Sequence, residues 1–254
     1  LSIVMVGIGG IIKLASQIYL ESTSREQLVS SARFAVERLN RELRNALPNS
    51  LRITTDASQA CLEFYPIVAS AVYLDNFPIS PKPAATTGTV VFPDVAPAGN
   101  LCQNAITGSN LQAVIYPLHA NELYDGTSGR MTYIGNIQTT ANNECQLTFA
   151  NSNGVVNAFQ FTQQSANQRV FLVSSPVSYC ARNSAGFEGK LWRHTGYSLN
   201  GNQTPSNAGV LMAEHLYLAD SNGQARYPFY LDVAHLKIHA MVALEFEFRR
   251  YDES

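Results

Sequence analysis

The chain has 254 residues, enough to bury a sizeable core in one large domain or two small ones. Only 14% of residues are charged, against 46% hydrophobic, and Asn, Gln, Ser, Thr and Gly fill the gap between Asn100 and Gly223. This balance suits a secreted or cell-surface β domain better than a cytosolic protein, where about a quarter is charged. The net charge is −2 with no Lys/Arg run, so nucleic acid is excluded as a partner.

The first segment, Leu1 to Ile12, is apolar throughout and carries Gly7, Gly9 and Gly10 before Lys13 interrupts it. It is shorter than the roughly 20 apolar residues that a membrane-crossing helix needs. It also lacks the basic start of a secretory signal. We expect upstream residues to complete the span. No helix breaker occurs between Lys13 and Leu47. Leu28, Ala32, Ala35, Val36, Leu39, Leu43, Ala46 and Leu47 recur at spacings of three and four, which marks one apolar face of a helix. Arg33, Glu37, Arg38, Arg41, Glu42 and Arg44 fall on the other side, with Glu37–Arg41 and Arg38–Glu42 spaced for i,i+4 pairs. Pro48 cannot continue the helix, and Asn49-Ser50 supplies turn residues. The expectation is one helix from near the start to about Leu47. Residues 1–24 form its hydrophobic half. The amphipathic half, 25–47, belongs to a head of residues 25–254, whose β-rich globular region is 51–254.

Beyond Ser50 the helical period ends. Strands are expected at Cys61–Tyr65, Val68–Leu74, Gln112–Tyr116, Gln146–Phe149, Ala158–Thr162, Arg169–Ser174 and Gly189–His194. Turn signals stand at Asp125-Gly126, Ser152-Asn153-Gly154 and Asn183-Ser184. The proline-rich stretch Phe77–Asn100 reads as a long exposed loop. Near the end, Leu244, Phe246 and Phe248 alternate with Glu245 and Glu247, the pattern of a strand with one buried face. The chain stops six residues later, and a further strand is expected beyond it. The fold class is therefore α+β: a long N-terminal helix, partly transmembrane, packed on an antiparallel β-rich head.

Cys61, Cys102, Cys145 and Cys180 include no CxxC pair, which argues against zinc ribbons and thioredoxin-type redox sites. Four cysteines allow three pairings. Pairing of sequence neighbours, Cys61–Cys102 and Cys145–Cys180, is the expectation, in an oxidising compartment. Catalytic signatures are missing. Gly126-Thr127-Ser128-Gly129 is one residue too tight for a nucleophile elbow, and no phosphate-binding glycine loop occurs. His235 and His239 have HxxxH spacing but lie in a strand-like run, where they stand about 13 Å apart. Glu245 and Glu247 share a strand face that reads as solvated. No enzyme, metal or cofactor is expected.

The run Ala35-Val36-Glu37-Arg38-Leu39-Asn40-Arg41-Glu42-Leu43-Arg44-Asn45-Ala46 resembles the end of the N-terminal helix in minor pilins of type IV pili, those of mannose-sensitive haemagglutinin (MSHA) pili in particular. It is similar also to J-type pseudopilins of type II secretion and to W-type minor pilins. Pro48 to Arg52 fits the helix exit. Leu211 to Leu216, followed by Val242, Leu244, Phe246 and Phe248, resembles the family's C-terminal half. The resemblance implies a leader and a glutamate upstream of Leu1, a prepilin peptidase that removes the leader, and N-methylation. It implies a single-pass inner-membrane subunit with a periplasmic head that moves to the tip of a pilus or pseudopilus. Its partners would be other minor and major pilins, and inner-membrane lipid before assembly. Ile3, Val6 and Ile11 would contact the helix bundle; Leu28, Val36, Leu39 and Leu43 would seat the head. The alternative is a pilus-tip adhesin whose loops Asn136–Asn157 and Gly196–Asn207 bind a glycan or protein. A membrane-tethered hydrolase is a third reading, without a nucleophile–base signature.

Overall fold

The computed structural model describes residues 2–56, 58–92, 102, 110–140, 144–185, 188–197, 205, 209–219, 222, 224–232 and 241–249. Helix α1, Ser2–Arg44, runs 43 residues without a break. At ~1.5 Å per residue this is roughly 65 Å of rod. Arg41 and Arg44 occupy its last turn, where cations suit the negative end of the helix dipole. The helix stops three residues before Leu47. The Asn45 side chain donates to the Ile67 carbonyl at 2.7 Å, and Leu47 N–H donates to Tyr65 O at 2.8 Å. Long-range bonds thus capture the backbone before Pro48 is reached.

Two β layers follow. The first is a five-stranded antiparallel sheet of β1 (Arg52–Thr55), β2 (Gln59–Phe64), β9 (Val177–Ala185), β10 (Glu188–Thr195) and β11 (Val210–Tyr217), in that order across the sheet. The second is a closed barrel of β3 (Ile67–Tyr73), β4 (Thr87–Val91), β7 (Cys145–Ala150), β6 (Met131–Thr139), β5 (Gln112–Val114) and β8 (Arg169–Val173). A short helix, α2 (Asn121–Tyr124), lies between β5 and β6, and a two-stranded ribbon pairs β12 (Phe229–Asp232) with β13 (Met241–Leu244). The barrel strands all fall between β2 and β9, which pair with each other. The chain therefore leaves the sheet at Tyr65-Pro66 and returns at Ser174–Pro176, where Ser174 N–H donates to Pro66 O at 3.3 Å.

Each layer has its own core. Ala35 and Leu39 of α1 pack with Leu62, Phe64, Tyr179 and Leu191 of the sheet. The barrel is filled by Tyr73, Phe77, Phe149, Phe161, Leu147 and Leu172. Its rings meet edge to face, with Phe77–Phe149 and Phe149–Phe161 centroids 5.5 and 5.9 Å apart. A third cluster of Leu47, Tyr65, Val114, Leu123, Tyr124 and Val173 joins the two layers.

Several expectations change. The stretch from Phe77 is no exposed excursion. Phe77 and Ile79 are buried in the barrel and Thr87–Val91 is β4; residues 93–100 lie outside the described residues. Gly88 makes this possible, since a Cβ there would stand 2.6 Å from the Phe77 ring. Ala158–Thr162 forms isolated bridges, Phe159 to Ala85 and Phe161 to Ile79, rather than a strand. Asn183 is not in a turn; it continues β9 and pairs with Gly189. The terminal alternation holds: Val242, Leu244, Phe246 and Phe248 are half-buried between exposed neighbours, and Phe248 bridges to Leu216. Regular strand stops at Leu244, however, and residues 250–254 are outside the described residues.

The disulfides are Cys61–Cys180 and Cys102–Cys145, so the neighbour pairing is overturned. Register decides this. Cys61 of β2 lies directly opposite Cys180 of β9, with Cα atoms 4.0 Å apart, while Cys145 begins the barrel strand that Cys102 meets. Sequence distance carries no weight once strands 119 residues apart are neighbours.

Candidate functional site

The helix and its seat are the feature around which any function of this fold must be argued. The seat begins with two small or compact side chains, Ala35 and Leu39, both buried against the sheet. Of the other expected seat residues, Leu28, Val36 and Leu43 are half-buried at its margins. Beside the apolar seat sits an ionic clamp. Arg193 Nε of β10 donates to both Glu42 carboxylate oxygens, at 3.1 and 3.0 Å, and Arg38 Nε adds a third bond at 3.2 Å. Burial alone would push the Glu42 carboxyl upward. The two guanidiniums outweigh it and hold the group below its ordinary value. The expected Arg38–Glu42 pair is thus real and recruits a strand 151 residues away. The expected Glu37–Arg41 pair is not formed: both side chains are exposed in water, where such a pair gains little.

Towards the N-terminus the helix leaves the sheet. The wedge between them is an open groove of about 490 Å³, lined by Ser24, Gln27, Leu28 and Ser31 on one wall and β11 on the other. Above the groove the shaft stands clear of the head. Leu14, Ile18, Tyr19 and Leu20 are 59, 58, 71 and 65% exposed. The shaft satisfies its own hydroxyls: Thr23 Oγ1 donates to Tyr19 O, Ser24 Oγ to Glu21 O and Ser31 Oγ to Leu28 O, each at 2.9 Å. Ile3, Val6 and Ile11 lie on the helix backbone, but their side chains are outside the described residues. Among the described residues no helix is long and apolar enough to cross a membrane.

At the other end of the seat, a polar node fixes the helix exit. Buried Glu63 of β2 pairs with Arg52 of β1 and accepts a hydrogen bond from the Tyr197 hydroxyl. The Arg52 guanidinium lies 3.6 Å over the Tyr124 ring, and Tyr124 OH donates to Ser50 O at 3.0 Å. Burial, then the Glu63 charge, pushes the Tyr197 phenol upward and keeps it protonated at any physiological pH. Each of these groups is occupied by a structural partner, so the node positions β1, β2 and α2 rather than offering a reactive atom.

The remaining candidates disperse. Among the described residues no group of three or more His, Cys, Asp or Glu could hold a metal ion, and His235 and His239 lie outside them. Glu245 and Glu247 are exposed, and each is paired with an arginine, Arg226 and Arg249 respectively. Asn136 is within β6, so that proposed loop reduces to a tight turn after β7 with Val155 and Val156 exposed. Residues 141–143, 198–204 and 206–208 lie outside the described residues. Sequence reasoning missed Arg193 and Tyr197. Neither belongs to a motif, and each meets its carboxylate only through sheet register.

The geometry defines a class: an α+β protein with a helical shaft clamped to a sheet and projecting beyond it, and a barrel carried on the same sheet. No protein-family model, curated protein or solved structure matches the chain.

Proposed function

We propose that the chain is a non-enzymatic assembly subunit of the minor-pilin or pseudopilin kind, held by its helix in a membrane and then packed by it into a filament. The observation that carries this reading is the contrast along α1. One face of its last third, at Ala35 and Leu39, is buried and ion-clamped to the sheet, while Leu14, Ile18, Tyr19 and Leu20 project without a partner among the described residues. Apolar side chains on a free shaft cost solvation energy, about 25 cal/mol per Å² of exposed apolar surface. Lipid or neighbouring helices remove that cost. The resemblance around Ala35–Ala46 supports the same reading and suggests the partners: lipid of the inner membrane first, other minor and major pilins afterwards. The head then sits at the filament tip and selects its neighbours through its sides.

The test is Ile11→Asp in the cell that makes the protein, with filaments counted by electron microscopy. Filament number should collapse, because a carboxylate in a helix bundle or in lipid costs several kcal/mol. The urea midpoint of the purified chain should not move, since residue 11 lies far from the seat. Unchanged filament number defeats the proposal.

A further inference from the structure

The segment between β5 and α2 is clamped from both sides. Tyr116 O accepts from Arg130 Nη1 at 2.7 Å, and Pro117 O accepts from the Asn49 side chain at 2.9 Å. Leu118 N–H and His119 N–H both donate to Glu122 Oε2 of α2, at 2.8 and 3.2 Å. The other Glu122 oxygen pairs with Arg130 Nε at 2.9 Å. Inside this clamp Tyr116 sits at φ +47°. In the left-handed region a bulky residue is an outlier that persists only where its surroundings enforce it. Glycine would adopt the same backbone without the steric penalty. The chain instead carries a tyrosine ring there, 38% exposed, with the Arg130 guanidinium 5.9 Å from the ring centre. Leu118 is 40% exposed, while Pro117 between the two is buried.

We propose that Tyr116 and Leu118 form a preformed anchor that docks into an apolar pocket on the head of a different filament subunit. This inference rests on the assembly role. The strained backbone and its hydrogen bonds present an aromatic and an aliphatic side chain in fixed positions. A rigid segment loses little conformational freedom on docking, and tyrosine is favoured at the buried centre of interfaces. The chemistry of the segment narrows the partner. Every nitrogen of Arg130 is engaged, by Tyr116 O, Gln163 Oε1 and Glu122, and both Glu122 oxygens are engaged as well. The phosphates of nucleic acid or of an anionic lipid therefore meet no free guanidinium here. A sugar needs polar groups that converge on it, and these are spent within the clamp. Apolar surface is what the segment has to offer. The open groove of this chain beside α1 has Ser24, Gln27, Ser31 and Glu214 in its walls, a poor match for leucine and tyrosine, which favours a different subunit over a second copy.

The test places the photo-reactive residue p-benzoylphenylalanine at position 118 of the full chain, in cells that make the filament. Irradiation should give an adduct whose second partner is another subunit found in the purified filaments. An adduct of two copies of this chain, or no adduct, overturns the proposal. Leu118→Asp should lower filament number about tenfold, because an unpaired carboxylate is excluded from an apolar pocket. Leu118→Met keeps the apolar side chain and should stay within about twofold of wild type. Leu118 lies at the surface, so the urea midpoint of purified Leu118→Asp should stay within about 0.5 M of wild type. Should that variant unfold, the adduct alone decides. Filaments lost with Ile11→Asp but unchanged in number with Leu118→Asp leave the assembly role standing and overturn this docking; filaments unchanged with both overturn both. Leu118→Asp filaments of normal number that have lost adhesion would place the partner outside the filament and overturn the docking too.

Discussion

Leu39→Ala isolates the energy that holds the helix on its sheet. Leu39 is fully buried, in a cluster that includes Ala35, Leu62, Phe64, Tyr179 and Leu191. The change removes the equivalent of three methyl or methylene groups, about 0.8 kcal/mol each in transfer energy, or about 2.4 kcal/mol together. The sheet below cannot rise to fill the space, because β2 and β9 are fixed by the Cys61–Cys180 bond. A cavity term therefore adds, and the total should reach about 3–4 kcal/mol. Urea unfolding followed by far-ultraviolet circular dichroism reads this directly. At a slope of about 1–3 kcal/mol/M the midpoint falls by about 1–4 M. Phe34→Ala is the internal control. It deletes a larger side chain from the more exposed side of the same helix, where the ring borders a groove with Met212, and should shift stability by no more than about 1 kcal/mol. Equal losses for the two variants would refute the assignment of the buried face.

The Glu42 clamp gives a pH signature. Its folded carboxyl lies below the ordinary value of 4.5, so its contribution is present above that value and is lost as pH falls through the lower folded value. Urea midpoints measured from pH 7 to pH 3 should fall, and Glu42→Gln should flatten part of that fall. A wild-type slope retained in the variant would count against the clamp. For the disulfides, peptide mapping without reduction should recover Cys61 linked to Cys180 and Cys102 linked to Cys145; a Cys61–Cys102 peptide contradicts the fold. Removing the first bond by paired serine substitution should cost about 1 kcal/mol more than removing the second, because it closes a span of 119 rather than 43 residues. Gly88→Ala should lower stability by about 1–3 kcal/mol in a thermal melt, through collision with Phe77 and Phe149. An unchanged melt would mean the barrel is looser than described.

The helix was legible in sequence because its signal is local: no breaker from Lys13 to Leu47, with Ala35, Leu39 and Leu43 at four-residue spacing. The terminal alternation from Val242 to Phe248 was legible for the same reason. What failed was non-local. Strand β3 pairs with β8, some hundred residues away, so the barrel leaves no trace in any window of sequence. Asn183 sits in β9 because Ser58, just before β2, and Gly189 of β10 hold it from both sides, which overrides its turn preference. Prolines around β4 mask a strand of five residues whose glycine is required by an aromatic neighbour. The seat on the helix was half visible: its apolar face could be read, whereas Arg193, its ionic partner, could not.

The paired strands that flank the barrel have a mechanical meaning. Tension applied along the shaft enters the sheet through the Ala35–Leu39 seat and the Glu42–Arg193 clamp, and is carried by β2 and β9, which the Cys61–Cys180 bond rivets together. The barrel hangs from those two strands at adjacent points, outside the line of force. It is a pendant rather than a link in the chain of load. Its exposed turns can therefore be rewritten while the strength of the anchorage stays with the sheet.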